Sequence, residues 1–161
     1  MTNGLLFKKT DGGYVKITKD VLKIIEKYKQ HGKDSNEAGG VLVGRFISNS
    51  NNIVIDYVST PMKDDIRQRR FFNRERKEHQ AFIDKYWDES IGTFNYIGEW
   101  HTHPESIPQP SYVDTGEWKR ILKEAKYEGD YLLFCIVGLD SIKLWQGITS
   151  SMELRQLEIV K

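Results

Sequence analysis

Residues 97–114 read IGEWHTHPESIPQPSYVD, an apolar segment that ends in two histidines and is followed by a proline-rich loop and a Ser-x-x-Asp sequence. The apolar part predicts a strand that runs to His103. Residues i and i+2 of a strand share one face, so His101 and His103 can aim both imidazoles at one point. Ser111 followed by Asp114 matches a capping box and predicts the start of a helix.

This pattern allows two interpretations. A catalytic zinc site takes three protein ligands and keeps one position for water. His101, His103 and Asp114 could be these three ligands. A hydrolase of this kind also needs a proton shuttle, and Glu37 at the start of EAGGVLVG is the candidate. The structural alternatives are a histidine pair without a metal, an aspartate that only caps its helix with Ser111, and a glutamate at a solvent-exposed strand edge. A helix cap and a metal ligand are compatible roles for one segment.

Around this stretch, periodicity and turn residues predict an α/β (α+β) fold, with one mixed β-sheet flanked by about three helices. The expected domain spans residues 1–161, because no repeat or linker divides the chain. Apolar residues of the second helix are expected to form an inward stripe of Phe82, Ile83, Tyr86 and Trp87. The predicted strands are 5–9, 14–17, 41–47, 53–58, 96–103, 131–139, 142–148 and a last one from Met152, and the predicted helices run from Thr18 to His31 (ended by Gly32), 73–89 and 111–126.

Composition excludes several classes of protein. The 161 residues carry a formal net charge of +1, which argues against a general nucleic-acid or membrane-surface binder. Cys135 is the only cysteine, so a disulfide framework, a Cys-rich zinc finger and a CxxC redox centre are excluded. Its apolar neighbours predict a core position. No apolar run could cross a bilayer and residues 1–13 do not resemble a secretory signal, so we expect a cytoplasmic protein.

The segment from Arg67 to Lys77 is the one strongly basic stretch, with six basic residues and one acidic residue. It could be a docking surface for an acidic partner or a nucleic acid. The alternative is a solvated helix start in which Phe71 and Phe72 belong to the core.

The order Glu37, His101-x-His103, seven residues, Ser111, two residues and Asp114 resembles the JAMM motif of the JAB/MPN metalloprotease superfamily. The segments EAGGVLVG, FFNRERKEHQ and IGEWHTHPESIPQPSYVD resemble a bacterial subgroup, the stand-alone JAB isopeptidases of anti-phage CBASS operons and related ubiquitin-like conjugation systems.

The resemblance implies a zinc-dependent isopeptidase or peptidase with one Zn²⁺ per chain, bound by His101, His103 and Asp114. By the same resemblance, Glu37 moves a proton from the attacking water to the leaving amine, and Ser111 donates a hydrogen bond to the oxyanion. The implied partners are the C-terminal tail of a CD-NTase or ubiquitin-like protein, its conjugates, and an E1/E2-like ligase, with no membrane. The alternatives are a peptidase that matures a ubiquitin-like or sulfur-carrier protein, and a non-catalytic MPN scaffold.

Overall fold

A nine-stranded mixed sheet forms the centre of the protein, and the computed structural model describes residues 3–161. The strand order is β10-β9-β8-β7-β3-β4-β2-β1-β11, with parallel pairs at β2/β4 and β7/β8. A separate hairpin pairs β5 with β6. The elements are β1 (Leu5–Lys8), β2 (Tyr14–Ile17), α1 (Lys19–Glu26), β3 (Gly39–Phe46), β4 (Ile53–Val58), β5 (Ile66–Gln68), β6 (Phe71–Asn73), α2 (Arg76–Glu89), β7 (Asn95–Thr102), α3 (Tyr112–Glu124), β8 (Tyr131–Val137), β9 (Ile142–Ile148), β10 (Leu154–Gln156) and β11 (Glu158–Ile159).

The α/β class, the mixed sheet and the three helices are therefore confirmed. Met1 and Thr2 lie outside the described residues. They belong to the predicted domain and to the segment that was compared with a secretory signal. No helix within residues 3–161 is long and apolar enough to cross a lipid bilayer.

The helices cover both faces of the sheet. Helix α1 packs with one face through Val21, Leu22 and Ile25. Helix α3 packs on the other through Trp118 and Ile121, with α2 beside it. The predicted last strand is confirmed as two short ones: β10 pairs with β9 and β11 pairs with β1, so the C-terminal segment links the two ends of the sheet.

Two predicted helix boundaries differ from the observed ones by three residues or more. Helix α1 ends at Glu26 rather than His31, because the chain tightens into i→i+3 hydrogen bonds at its end and then leaves the helix. Buried Gln30 lies beyond that end and donates to the carbonyls of Ser35 and Arg69. Helix α2 begins at Arg76 because the preceding residues pair as strand β6.

Several predicted core positions are also wrong. Trp87 is 49% exposed, since it lies on the solvent side of α2. Phe71 lies at the surface of the β5–β6 hairpin, and Phe72 is half-buried against Gly39. Cys135 is buried in β8 as expected.

A β-bulge in β7 sets the direction of the residues that follow it. Leu42 pairs with Gly98 and Val43 pairs with Tyr96, so Ile97 is an extra residue that shifts the alternation. As a result Tyr96 and Glu99 share a face, and the Tyr96 hydroxyl donates to Glu99. Gly98 has a φ of +152°, and a Cβ there would lie 1.7 Å from the Leu133 carbonyl oxygen, so the position requires glycine.

Candidate metal centre and proton shuttle

The two histidines lie at the end of β7 and point the same way, as the spacing predicted. His101 and His103 are 8% and 7% exposed. Their Nε2 atoms are 3.1 Å apart. The ring of Trp118 in α3 lies edge-on to His101, with ring centroids 6.2 Å apart. Strand and helix together hold the imidazoles at one point near the surface.

Asp114 completes this group from the first turn of α3. Its Oδ1 lies 3.3 Å from His101 Nε2, and its Oδ2 lies 3.0 Å from His103 Nε2. The same carboxylate accepts from the Ser111 backbone N–H at 2.8 Å, and Ser111 Oγ accepts from the Asp114 N–H at 3.0 Å. The capping box therefore holds Asp114 against the histidines, and both interpretations of this segment fit one geometry.

These three side chains fit a zinc ion by their chemistry and spacing. One ligand atom from each of His101, His103 and Asp114 can be chosen so that all lie within 4.8 Å of one another. Zinc bonds of about 2.0 Å in a tetrahedron place neighbouring ligand atoms about 3.3 Å apart, close to the separations above. Two imidazoles and one carboxylate are a typical catalytic donor set and leave one position for water.

Glu105 orients His103, a role that sequence reasoning missed. Its Oε1 lies 2.8 Å from His103 Nδ1 and also accepts from the Gln109 N–H. A carboxylate on the far ring nitrogen directs Nε2 towards Asp114, and in metal sites such a carboxylate makes the imidazole a better ligand. A signal was available, because Glu105 stands only two residues after His103.

Glu37 lies just before β3, at the side of the histidine pair. Neighbouring Ala38 exchanges hydrogen bonds with Thr102, which fixes this end of β3 against β7. Glu37 is 5% exposed, and its Oε1 lies 3.9 Å from His103 Nε2. Burial raises the pKa of Glu37 to about 8, although the His103 charge opposes this and the Asp114 charge adds to it. A carboxyl of this kind can both take and release a proton near neutral pH.

The charges of the group are complementary. Burial lowers the pKa of His103, but hydrogen bonds with Asp114 and Glu105 outweigh burial and raise it. Burial raises the pKa of Asp114, but the two imidazoles outweigh it and hold this pKa well below its usual range. Asp114 is therefore an anion at neutral pH, the state that a metal ligand needs.

Ser111 is exposed at the start of α3. Its oxygen accepts a hydrogen bond from the helix, which leaves the hydroxyl proton available to a further acceptor. The structure thus brings Glu37, His101, His103, Ser111 and Asp114 to one region, while their roles in a reaction stay predictions.

The basic segment is partly engaged within the protein. Arg67 Nε donates to the Glu37 carbonyl, and Arg69 donates to the Gly32 carbonyl. Arg74 makes a two-point contact with Glu99. These three arginines are structural, so a docking role for this segment would depend on its remaining basic residues.

Comparisons with known proteins show which family the chain resembles. Residues 20–150 match the family of prokaryotic homologues of the JAB domain. A CD-NTase/cGAS isopeptidase of Escherichia coli is 35% identical over 156 residues, which cover 97% of this chain and 95% of the relative. A protein of the same name from Vibrio cholerae is 34% identical over 134 residues, 83% of this chain and 82% of the relative.

A solution structure of a protein from Desulfitobacterium hafniense shares the fold, with a TM-score of 0.57 and 19% identity over 86% of this chain and 88% of that one. The names of the curated relatives support a hydrolase of the isopeptidase type. This chain belongs to the prokaryotic JAB family.

Proposed function

We propose that this chain is a zinc-dependent isopeptidase. It would hydrolyse the bond between the C-terminus of a CD-NTase or ubiquitin-like protein and an amine of its target, and so reverse E1/E2-type conjugation in anti-phage defence. The observation that carries the proposal is the convergence of His101, His103 and Asp114 beside Glu37, whose Oε1 is 3.9 Å from His103 Nε2. We also propose that residues 1–161 form one domain and that the protein acts in the cytoplasm.

Each side chain has a distinct task. His101, His103 and Asp114 would hold the zinc, which when bound would supply positive charge that acidifies water and polarises the scissile carbonyl. Glu37 takes a proton from the water that attacks this carbonyl. When the carbon–nitrogen bond breaks, Glu37 gives the proton to the departing amine. The Ser111 hydroxyl donates to the oxygen on which negative charge develops.

The substrate class rests on the named relatives. Each of the two curated relatives above is a CD-NTase/cGAS isopeptidase, and the E. coli protein matches this chain over nearly its whole length. Because these names refer to those proteins, the CD-NTase tail is a proposal for this chain, as is an E1/E2-like ligase that would form the conjugate.

Two alternatives use the same fold. A peptidase that matures a ubiquitin-like or sulfur-carrier protein would need the same five side chains and differs only in its substrate. A non-catalytic scaffold would need none of them, and the presence of Glu37, Ser111 and the three candidate ligands favours an enzyme.

The test compares Glu37→Gln with wild type on two substrates. One substrate is the CD-NTase or ubiquitin-like protein encoded beside this chain, joined through its C-terminus to a lysine of a target. The other is a linear fusion in which the same C-terminal tail is followed by a second protein. We expect Glu37→Gln to keep its zinc and to lose about 1,000-fold in the rate of cleavage, which is within the range for a general base.

The matched control is Glu128→Gln, because Glu128 is an exposed glutamate remote from the histidine pair in sequence. It should cleave at the wild-type rate. Cleavage by Glu37→Gln at the wild-type rate would contradict the proposed role of Glu37 in proton transfer. Cleavage of the linear fusion alone would favour a maturation peptidase.

A further inference from the structure

A second histidine–carboxylate group lies inside the protein. His79 of α2 is 0% exposed. Its Nε2 lies 2.8 Å from Asp65 Oδ2, and its Nδ1 lies 2.6 Å from Ser59 Oγ. The side chain of Asp65 is also fully buried, and Ser59 is 1% exposed. The three side chains form a Ser–His–Asp chain that the proposed reaction does not use.

This buried triad, Ser59–His79–Asp65, is not built as a nucleophilic site. Ser59 Oγ also accepts from the Val41 N–H at 2.8 Å, and no substrate carbonyl could approach an oxygen this deeply buried. Asp65 accepts from the backbone N–H groups of Met62 and Glu75, both at 2.7 Å. Asp65 is therefore hydrogen-bonded to the backbone just before and just after the β5–β6 hairpin, and Ser59 is hydrogen-bonded to β3. These bonds attach the hairpin to β3.

The hairpin anchored in this way makes the contacts that hold Glu37. The Glu37 N–H donates to the Gln68 carbonyl at 2.8 Å, and Arg67 Nε donates to the Glu37 carbonyl at 2.9 Å. Both partners belong to β5, which begins directly after Asp65. At the other side, Ser59 holds Val41 through its side chain and its backbone, only four residues after Glu37.

We propose that Ser59, His79 and Asp65 are positioning residues that place Glu37 beside the metal group by fixing the β5–β6 hairpin against β3. This inference rests on the proposed function, since it assigns the triad to the proton shuttle of that reaction. A general base acts only within hydrogen-bond reach of its proton, so a displaced hairpin reduces turnover without removing a ligand.

The first test is His79→Gln, which can keep one of the two side-chain contacts but not both. We expect kcat to fall about 10- to 100-fold, a typical cost of a small misplacement, while KM and zinc content stay within twofold. His31→Gln is the matched control, because His31 is exposed and outside the triad; it should leave kcat unchanged. An unchanged kcat in folded His79→Gln overturns the proposal.

A double variant separates positioning from general damage to the fold. If the triad acts through Glu37, then adding His79→Gln to Glu37→Gln should lower the residual rate by less than twofold. Multiplication of the two single effects would show that His79 acts independently of Glu37 and would overturn the proposal.

Hydrogen exchange tests the same link without activity. In metal-free protein, His79→Gln should speed exchange at the Glu37 amide by about tenfold or more, and leave the Cys135 amide in β8 unaffected. Equal exchange at Glu37 in both proteins contradicts the proposal. If wild type cleaves neither substrate, the proposed function fails while the exchange result still decides the anchoring.

Arg67→Ala keeps the inference testable should His79→Gln not fold. Arg67 is exposed, so its removal tests one contact to Glu37 without opening the core. We expect a lower kcat with KM unchanged, and wild-type kinetics for the control Arg155→Ala, because Arg155 is exposed in β10 and lies outside the basic segment. A higher KM with an unchanged kcat would assign Arg67 to substrate docking and overturn its positioning role.

Discussion

Residues 3–161 contain two histidine–carboxylate groups whose hydrogen bonding differs. In the group of His101, His103 and Asp114, imidazole Nε2 atoms converge on a carboxylate near the surface. In the buried triad, both nitrogens of His79 and the oxygens of Asp65 are bonded to protein atoms. The same residue types therefore serve different ends: the first group leaves ligand atoms for a cation, and the second uses all of its ring nitrogens and carboxylate oxygens to hold the chain.

The largest difference should appear in the free energy of unfolding. Asp65→Ala leaves buried His79 Nε2 and the N–H groups of Met62 and Glu75 without their acceptor. Because each unsatisfied buried donor costs about 1 to 3 kcal/mol, the total should be about 3 to 5 kcal/mol. Asp114→Ala removes half of a capping box and the contacts with two imidazoles that lie near the surface. Because water can replace these contacts, it should cost less, about 1 to 2 kcal/mol. Urea unfolding of the metal-free proteins measures both values.

Asp64→Ala is the matched control for the first variant, because Asp64 is the exposed neighbour of Asp65. We expect its unfolding curve to coincide with that of wild type. If Asp65→Ala were no more destabilising than Asp64→Ala, the triad would not anchor the hairpin.

A smaller effect, on zinc affinity, is expected for Glu105, whose carboxylate contacts the far ring nitrogen of His103. Glu105→Ala should weaken zinc binding about 10- to 100-fold, since Glu105 orients His103 through Nδ1. The Glu105 side chain is 42% exposed, so the free energy of unfolding without metal should barely change. Competition with a zinc chelator measures the affinity, with Glu128→Ala as control. Unaltered affinity in Glu105→Ala would contradict the orienting role.

We expect the smallest signal from Cys135, which belongs to neither group and whose thiol should barely react in the folded protein. Burial raises the pKa of its thiol to about 12, so the reactive thiolate is scarce at pH 8. We expect iodoacetamide to leave the folded chain unlabelled and to label it fully in denaturant. The exposed variant Lys33→Cys should label at its new thiol when folded, and equally rapid labelling of folded wild type would contradict the buried position.

The contrast between the two groups also shows what the sequence can predict. His101, His103, Ser111 and Asp114 lie in one strand–loop–helix segment, where strand alternation and helix capping determine direction. Apolar runs between turn residues likewise indicated most strands, and apolar residues at helical spacing indicated all three helices. These are local rules, and the structure confirms the elements that they indicated.

The buried triad was not predicted, because its members lie after β4, before β5 and in α2, and no local rule of alternation or capping joins these three elements. His79 is 20 residues from Ser59 and 14 from Asp65. The end of α1 was also misplaced, since the chain leaves the helix after Glu26 and Gln30 instead donates to the distant Arg69 carbonyl. Long-range hydrogen bonds of this kind override local helix propensity and leave no periodic pattern.

The central claim is that His101, His103 and Asp114 hold a catalytic zinc ion, and elemental analysis of purified protein tests it most directly. Wild type and His31→Gln should each contain close to one zinc per chain, because residues 3–161 contain one such ligand group. His101→Ala should contain almost none. Zinc content in His101→Ala equal to that of wild type would contradict the assignment of the site.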